Sequence, residues 1–132
     1  MNAGAAAEAL AAEFLEARGL AVVKRNYRCR GGEIDIIARD GAILVFVEVR
    51  LRRSSAFGGA RESITFAKRR RLKFAAGLFL AGLAREPACR FDAILLDGLD
   101  AARIEWLVSR FSSEKKRSAA EVTISPKSRV QA

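Results

Sequence analysis

The stretch GEIDIIARDGAILVFVEVR, residues 32–50, decides the fold. Its first half alternates around isoleucines, and its second is an almost unbroken run of β-branched and aromatic side chains. Asp40-Gly41 between them is a strong two-residue hairpin signal. A turn at those two residues sets Asp35 opposite Phe46. Directly opposed residues share a face and side chains alternate along a strand, so Asp35, Phe46, Glu48 and Arg50 project to one side. Asp35 and Glu48 are then diagonal neighbours, roughly 7–8 Å apart at the backbone and closer at their oxygens. Such a pair can hold one Mg²⁺, which takes oxygen ligands and keeps several waters. The competing reading is an ion pair, from Glu48 to Arg50 or to a helix arginine, because a charge among strands this apolar is costly without a partner. Spacing alone rates the two equally, and a one-residue slip of register would carry Asp35 to the other face.

Upstream, residues 3–18 predict a helix with Asn2 as N-cap and Gly19 as its stop. Ala7, Leu10, Ala11, Phe14 and Leu15 form its apolar face, and Glu13 and Glu16 lie far from it. Glu8 flanks that face. It reads either as an ordinary boundary charge, the commoner fate, or as a carboxylate directed into a cleft. Residues 20–28 predict a first strand. Downstream of the hairpin come a polar loop from Arg52 to Ala60, a long helix over 62–83, and strands Phe91–Asp97 and Arg103–Val108. The fold class is α/β, a mixed central sheet flanked by helices in the order α-β-β-β-α-β-β. From Ser112 the chain is polar, contains Pro126 and lacks aromatics, which predicts one domain over 1–111 and a disordered basic tail over 112–132.

The whole chain has 132 residues, 51% of them apolar, with 24 Lys plus Arg against 15 Asp plus Glu. A net charge of +9 points to an anionic partner, nucleic acid before a membrane surface. Histidine is absent, which excludes Ser–His–Asp, Cys–His and His-ligated metal chemistry together. Cys29 and Cys89 read as two free thiols in a reducing cytosol. The Ala-rich N-terminus lacks the basic start of a signal peptide, and the longest uncharged run, Phe74 to Ala84, has 11 residues, too short to cross a bilayer. The expectation is a cytoplasmic protein with no membrane partner.

The charge is local. Residues 50–73 hold nine basic side chains against the single acid Glu62. A solvated helix face normally carries compensating glutamates, and their absence favours a phosphodiester partner, DNA more than RNA. Arg52, Arg53, Arg61, Arg69, Arg70, Arg71 and Lys73 are the expected backbone contacts. Lys68 falls inside the stripe Ile64–Lys68–Leu72–Ala75–Phe79, where an apolar residue is expected. Either it snorkels at the helix end, the commoner case, or its ammonium reaches the carboxylates.

These residues also carry a resemblance. Gly4-x₃-Glu8, Arg25-Asn26-Tyr27-Arg28, Gly32-Glu-Ile-Asp35-Ile-Ile-Ala-Arg-Asp40, Phe46-Val-Glu48-Val-Arg50-x-Arg52, Phe57-Gly58, Lys68 and Arg90-Phe91-Asp92 resemble the YraN-like family of small bacterial proteins, over residues 4 to about 111. That family is similar to the PD-(D/E)xK nucleases, with a restriction-endonuclease-like fold and Holliday-junction resolvases among its relatives. The resemblance implies a Mg²⁺ or Mn²⁺ site on Asp35 and Glu48 with the Val49 carbonyl, and Glu8 as the helix-borne acid completing it. It implies catalytic roles for Glu8, Asp35, Glu48, Arg50 and Lys68 on DNA, branched DNA included, and related resolvases suggest a homodimer. One position departs from the pattern: Arg50 stands where the family's ExK motif ends in lysine. Arginine, with a pKa above about 12, keeps the charge but cannot serve as a base. The expectation is therefore a metal-dependent nuclease with Lys68 substituting, or a catalytically weak or inactive nucleic-acid-binding module on the same fold.

Overall fold

Apolar periodicity builds the helices and strands, and where it breaks the functional residues collect. The computed structural model describes residues 3–52, 66–99, 103–109 and 124–131. Arg53, Phe57-Gly58, Arg61 and the first turn of the expected second helix lie outside them.

Helix α1 runs Ala3–Ala17 and buries Ala7, Ala11, Ala12, Phe14 and Leu15, the face its periodicity predicts. It ends where the amides of Gly19 and Leu20 return to the carbonyls of Glu16 and Leu15, a Schellman closure with Leu20 and Leu15 in one apolar cluster. Strands β1 (Ala21–Cys29), β2 (Gly32–Asp40) and β3 (Ile43–Arg52) form an antiparallel meander. Helix α2 (Phe66–Ala81) then carries the chain to β4 (Cys89–Asp97), which lies parallel to β3. A parallel neighbour requires such a crossover. β5 (Arg103–Ser109) and β6 (Ile124–Gln131) add antiparallel strands, so the six-stranded sheet runs in sequence order.

The helices cover opposite faces. Ile36, Ala38, Val45, Val47, Val49, Ile94, Leu96, Ile104 and Trp106 pack with α1, whereas Ile34, Ile37, Leu44, Phe46 and Phe91 pack with Leu72, Ala75 and Ala76 of α2. β3 is buried on both faces, which explains its lack of polar alternation.

The expected order holds from α1 to β5, and two features correct it. The turn is Gly41-Ala42, not Asp40-Gly41: Asp40 pairs with Ile43 and Ile36 with Val47. Gly41 takes φ 63° with no positive φ at Ala42, the type II′ pattern, which puts glycine first. The register therefore moves by two residues, side-chain parity survives, and Asp35 comes to face Glu48 itself. The second correction is β6. The stretch Ile124–Gln131, expected within a disordered tail, pairs along β5, and the register shifts opposite Trp106/Leu107 so that Lys127 is passed over beside Pro126. An edge strand with a proline at an irregularity escapes the usual veto on proline in sheets. No helix among the described residues is long and apolar enough to cross a membrane.

Candidate functional site

The site forms where β2 stops pairing with β3. The last rung of that ladder is Ile36–Val47. One residue further, the main-chain amide of Val49 donates to Asp35 Oδ2 at 2.8 Å, so a carboxylate replaces a backbone carbonyl as the acceptor. Ladder amides lie in the plane of a sheet, and Asp35 is therefore drawn into the gap between the two strands. Ile34 and Ile36, which plain alternation would put on one face, fall in the α2-side and α1-side clusters respectively. The strand rotates at Asp35.

β1 undergoes a matching distortion. Asn26 adopts φ 56°, the left-handed region that asparagine tolerates better than most residues, and the register leaves it unpaired between Arg25–Ile36 and Tyr27–Ile34. Its side chain hydrogen-bonds Glu8. Glu8 thus arrives from α1 and feels Asp35: burial, then the Asp35 charge, raise its pKa above the ordinary value, against the opposing pull of Arg25.

On the α2 side stands Glu48, 5% exposed. Lys68 Nζ lies 2.6 Å from Glu48 Oε2, and Arg50 Nε lies 3.7 Å from the same oxygen. The stripe position that was out of character as core is thus occupied by a lysine that reaches the carboxylates. Burial and the neighbouring Asp35 push the Glu48 carboxyl up to about 7 in spite of both cations. Burial likewise raises Asp35, opposed by the Val49 amide and Lys68. Like charges held this close in a low-dielectric site resist ionising together.

A cleft of about 310 Å³ opens on Glu48, lined by Arg28, Cys29, Gly32, Glu33, Glu48, Lys68 and Arg71; Asp35 adjoins Glu48 behind it. Gly32 sets its width, because a Cβ there would meet the Arg71 carbonyl oxygen at 2.3 Å. Any side chain at Gly32 would push α2, with Lys68 and Arg71, away from the carboxylates.

Among the described residues no three acids, thiols or imidazoles converge tightly enough to hold a metal. Asp35 and Glu48 are the close pair, and Glu8 acts on them from a greater distance. Two adjoining carboxylates whose protons are held too tightly suit a divalent cation with oxygen preference that retains several waters, so this donor set fits Mg²⁺ or Mn²⁺.

The expected phosphate contacts divide. Arg69, Arg70 and Arg71 are exposed on α2, and Arg71 borders the cleft. Lys73 is half-buried, and burial followed by Arg69 lowers its pKa. Arg52 is committed elsewhere: its guanidinium forks onto Asp97, with Nε to Oδ1 and Nη2 to Oδ2. Sequence reasoning also passed over a second basic wall. Lys24, Arg25, Arg28 and Arg30 are exposed along β1 and its turn. The signal was available, since KRNYRCR, residues 24–30, holds four cations and no acid.

Comparison with known proteins gives the chain's family. The model described as "Uncharacterised protein family UPF0102" matches residues 7–96, which span every strand and helix of the site. A UPF0102 protein of Ralstonia pickettii is 57% identical over 113 residues, covering 82% of this chain and 88% of its own. Others from Nitrosospira multiformis (52% over 108 residues, 82% and 91% covered) and Methylobacillus flagellatus (53% over 107 residues, 81% and 94% covered) are similarly related. The chain belongs to UPF0102, the YraN-like family of the PD-(D/E)xK type.

Proposed function

We propose that the protein is a metal-dependent nuclease-like enzyme acting on DNA phosphodiesters. The observation that carries this reading is the adjoining pair Asp35–Glu48, both with raised pKa values, of which Glu48 lines a cleft shared with Lys68, Arg28 and Arg71. Asp35 and Glu48 are the residues that would hold Mg²⁺ or Mn²⁺, with Glu8 an outer carboxylate. When bound, such an ion polarises the phosphate and lowers the pKa of an attacking water. The chain's own side chains do the rest. Lys68 and Arg50 present fixed positive charge where the phosphorane's charge develops. Arg71 and Arg28, on facing walls, hold the backbone in register. The Val49 amide keeps Asp35 in one orientation.

One observation favours a second reading, a nucleic-acid-binding module without turnover. Lys68 and Arg50 both already lie against Glu48, so the protein itself supplies positive charge where a metal ion would sit. Incubation of labelled duplex, single-stranded and four-way-junction DNA with and without Mn²⁺ separates the two. The nuclease reading expects Mn²⁺-dependent products that Glu48→Ala abolishes. Binding without products, gained only in Arg50→Lys, would establish the module.

A further inference from the structure

Resting on the nucleic-acid reading above, we infer that Phe74 is a stacking platform for a base of a single-stranded segment entering the cleft. Phe74 is 53% exposed, more than any other large apolar side chain among the described residues. It is not a loose surface residue. One edge of its ring rests over Gly31 in the β1–β2 turn, where an added Cβ would meet ring carbons at 3.0 and 3.2 Å. The absence of a side chain at Gly31 is what lets the ring lie there, supported on one edge and open elsewhere.

The surroundings select the ligand. Arg70 and Arg71 precede Phe74 by one helical turn; Arg30 immediately precedes Gly31, and Arg28 stands at the end of β1, all four exposed. A bare aromatic ringed by cations suits a partner with a π-face attached to an anionic chain, and nucleotide bases on their backbone offer both. In a duplex those faces are stacked inside, so only a single strand or an unpaired end presents them. The cleft agrees with this. Its volume of about 310 Å³ equals the share of roughly ten waters in the liquid. That is about the space of one nucleotide. Phe74 stands six residues along α2 from Lys68, roughly 9 Å at the helical rise. It therefore meets a base flanking the phosphate at the carboxylates, not the base at that phosphate.

The test is binding by the full chain in EDTA, so that cleavage plays no part, followed by fluorescence anisotropy of labelled oligonucleotides. Phe74→Ala should weaken binding to an oligo-dT strand by about 5- to 150-fold, the range for loss of one base–aromatic stack. The variant should leave affinity for a blunt duplex, and for an abasic strand of equal length, within about twofold. Phe74→Trp should retain strand affinity, with its added emission quenched by oligo-dT and not by the abasic strand. Leu78→Ala, equally apolar and 44% exposed on the same helix, serves as control and should change nothing. Equal losses for strand, duplex and abasic strand would overturn the platform, as would a changed sedimentation coefficient in Phe74→Ala, which would make this face a contact between copies of the chain. Strand binding without any Mn²⁺-dependent cleavage would remove the nuclease reading and leave the platform intact. No binding to any oligonucleotide would remove both.

Discussion

Two clusters of buried charge sit nearly back to back on opposite faces of β3 and β4, and their contrast separates structure from function. On the α1 face, Asp92 has a fully buried side chain and every partner it needs. Arg90 Nε donates to its two oxygens at 3.1 and 3.2 Å, and Trp106 Nε1 donates at 2.9 Å. Arg90 Nη1 reaches on across β3 to Asp40 at 3.1 Å, tying the hairpin to the sheet. Opposite charges alternate there. On the α2 face stands Glu48, adjoined by Asp35 from the gap between β2 and β3; Glu8 adds to the repulsion from α1, and Glu48 is pushed up to about 7. Both clusters are buried, but only one is arranged against its own stability. Burial of charge alone does not mark a site. Like charges placed together, inside a cleft, do.

The largest expected effect tests the charge-paired cluster. Asp92→Ala leaves Arg90 buried without its main counter-charge, and removing one partner of a buried pair costs about 3–5 kcal/mol. Urea unfolding measures it directly. A loss below about 1 kcal/mol would mean that Arg90 finds water instead, and the contrast between the faces would collapse.

Next in size is a pH effect on the conflicted cluster. Glu48 is raised in the folded state from 4.5 to about 7, so the folded protein holds this proton more tightly than the unfolded chain. Its contribution to stability is full below about 4.5 and is lost as pH rises through about 7. A shift of this size corresponds to on the order of 3 kcal/mol across that window. The wild type should therefore lose Tm between pH 5 and pH 8 (roughly the window in question). Glu48→Gln, uncharged throughout, should flatten the profile and raise Tm at the alkaline end. If the two profiles run parallel, Lys68 and Arg50 already neutralise Glu48 completely and no conflict exists.

The same contrast explains what could be read in the sequence. Element order was legible because the apolar face of α1, the apolar run of β3 and the stripe of α2 are each dictated by burial. Asp35 and Glu48 were legible as acids in strands with no surface to place them on, and Lys68 as a cation in an apolar stripe. The register was not, because a two-residue turn at either Asp40-Gly41 or Gly41-Ala42 keeps the same parity and puts Gly41 at a positive φ; the pairing of Asp40 with Ile43, without a positive φ at Asp40, distinguishes them. The rotation at Asp35 was hidden for a similar reason. It follows from Asn26 leaving the β-region, and an asparagine within a strand carries no letter for its φ. β6 escaped because its two apolar residues, Ile124 and Val130, are too few to announce a strand without β5 beside them.

The smallest expected effect concerns two arginines that the sequence could not tell apart. Arg52 and Arg71 belong to one basic run, yet Arg52 forks onto Asp97 with its side chain 21% exposed, and Arg71 stands exposed at the cleft. A cation that replaces a condensed counterion contributes to the salt dependence of binding, whereas one already paired within the protein releases nothing. Arg71→Ala should therefore reduce the slope of log affinity against log salt by about 0.7 for a single strand or 0.9 for a duplex. Arg52→Ala should leave that slope unchanged and lower stability by up to about 1 kcal/mol, as expected for a half-exposed pair. Salt titrations of the two variants on one oligonucleotide compare them without any assumption about catalysis. Equal slopes for both variants would show that Arg52 leaves Asp97 for the phosphate, and the ion pair would then be a resting partner that DNA displaces.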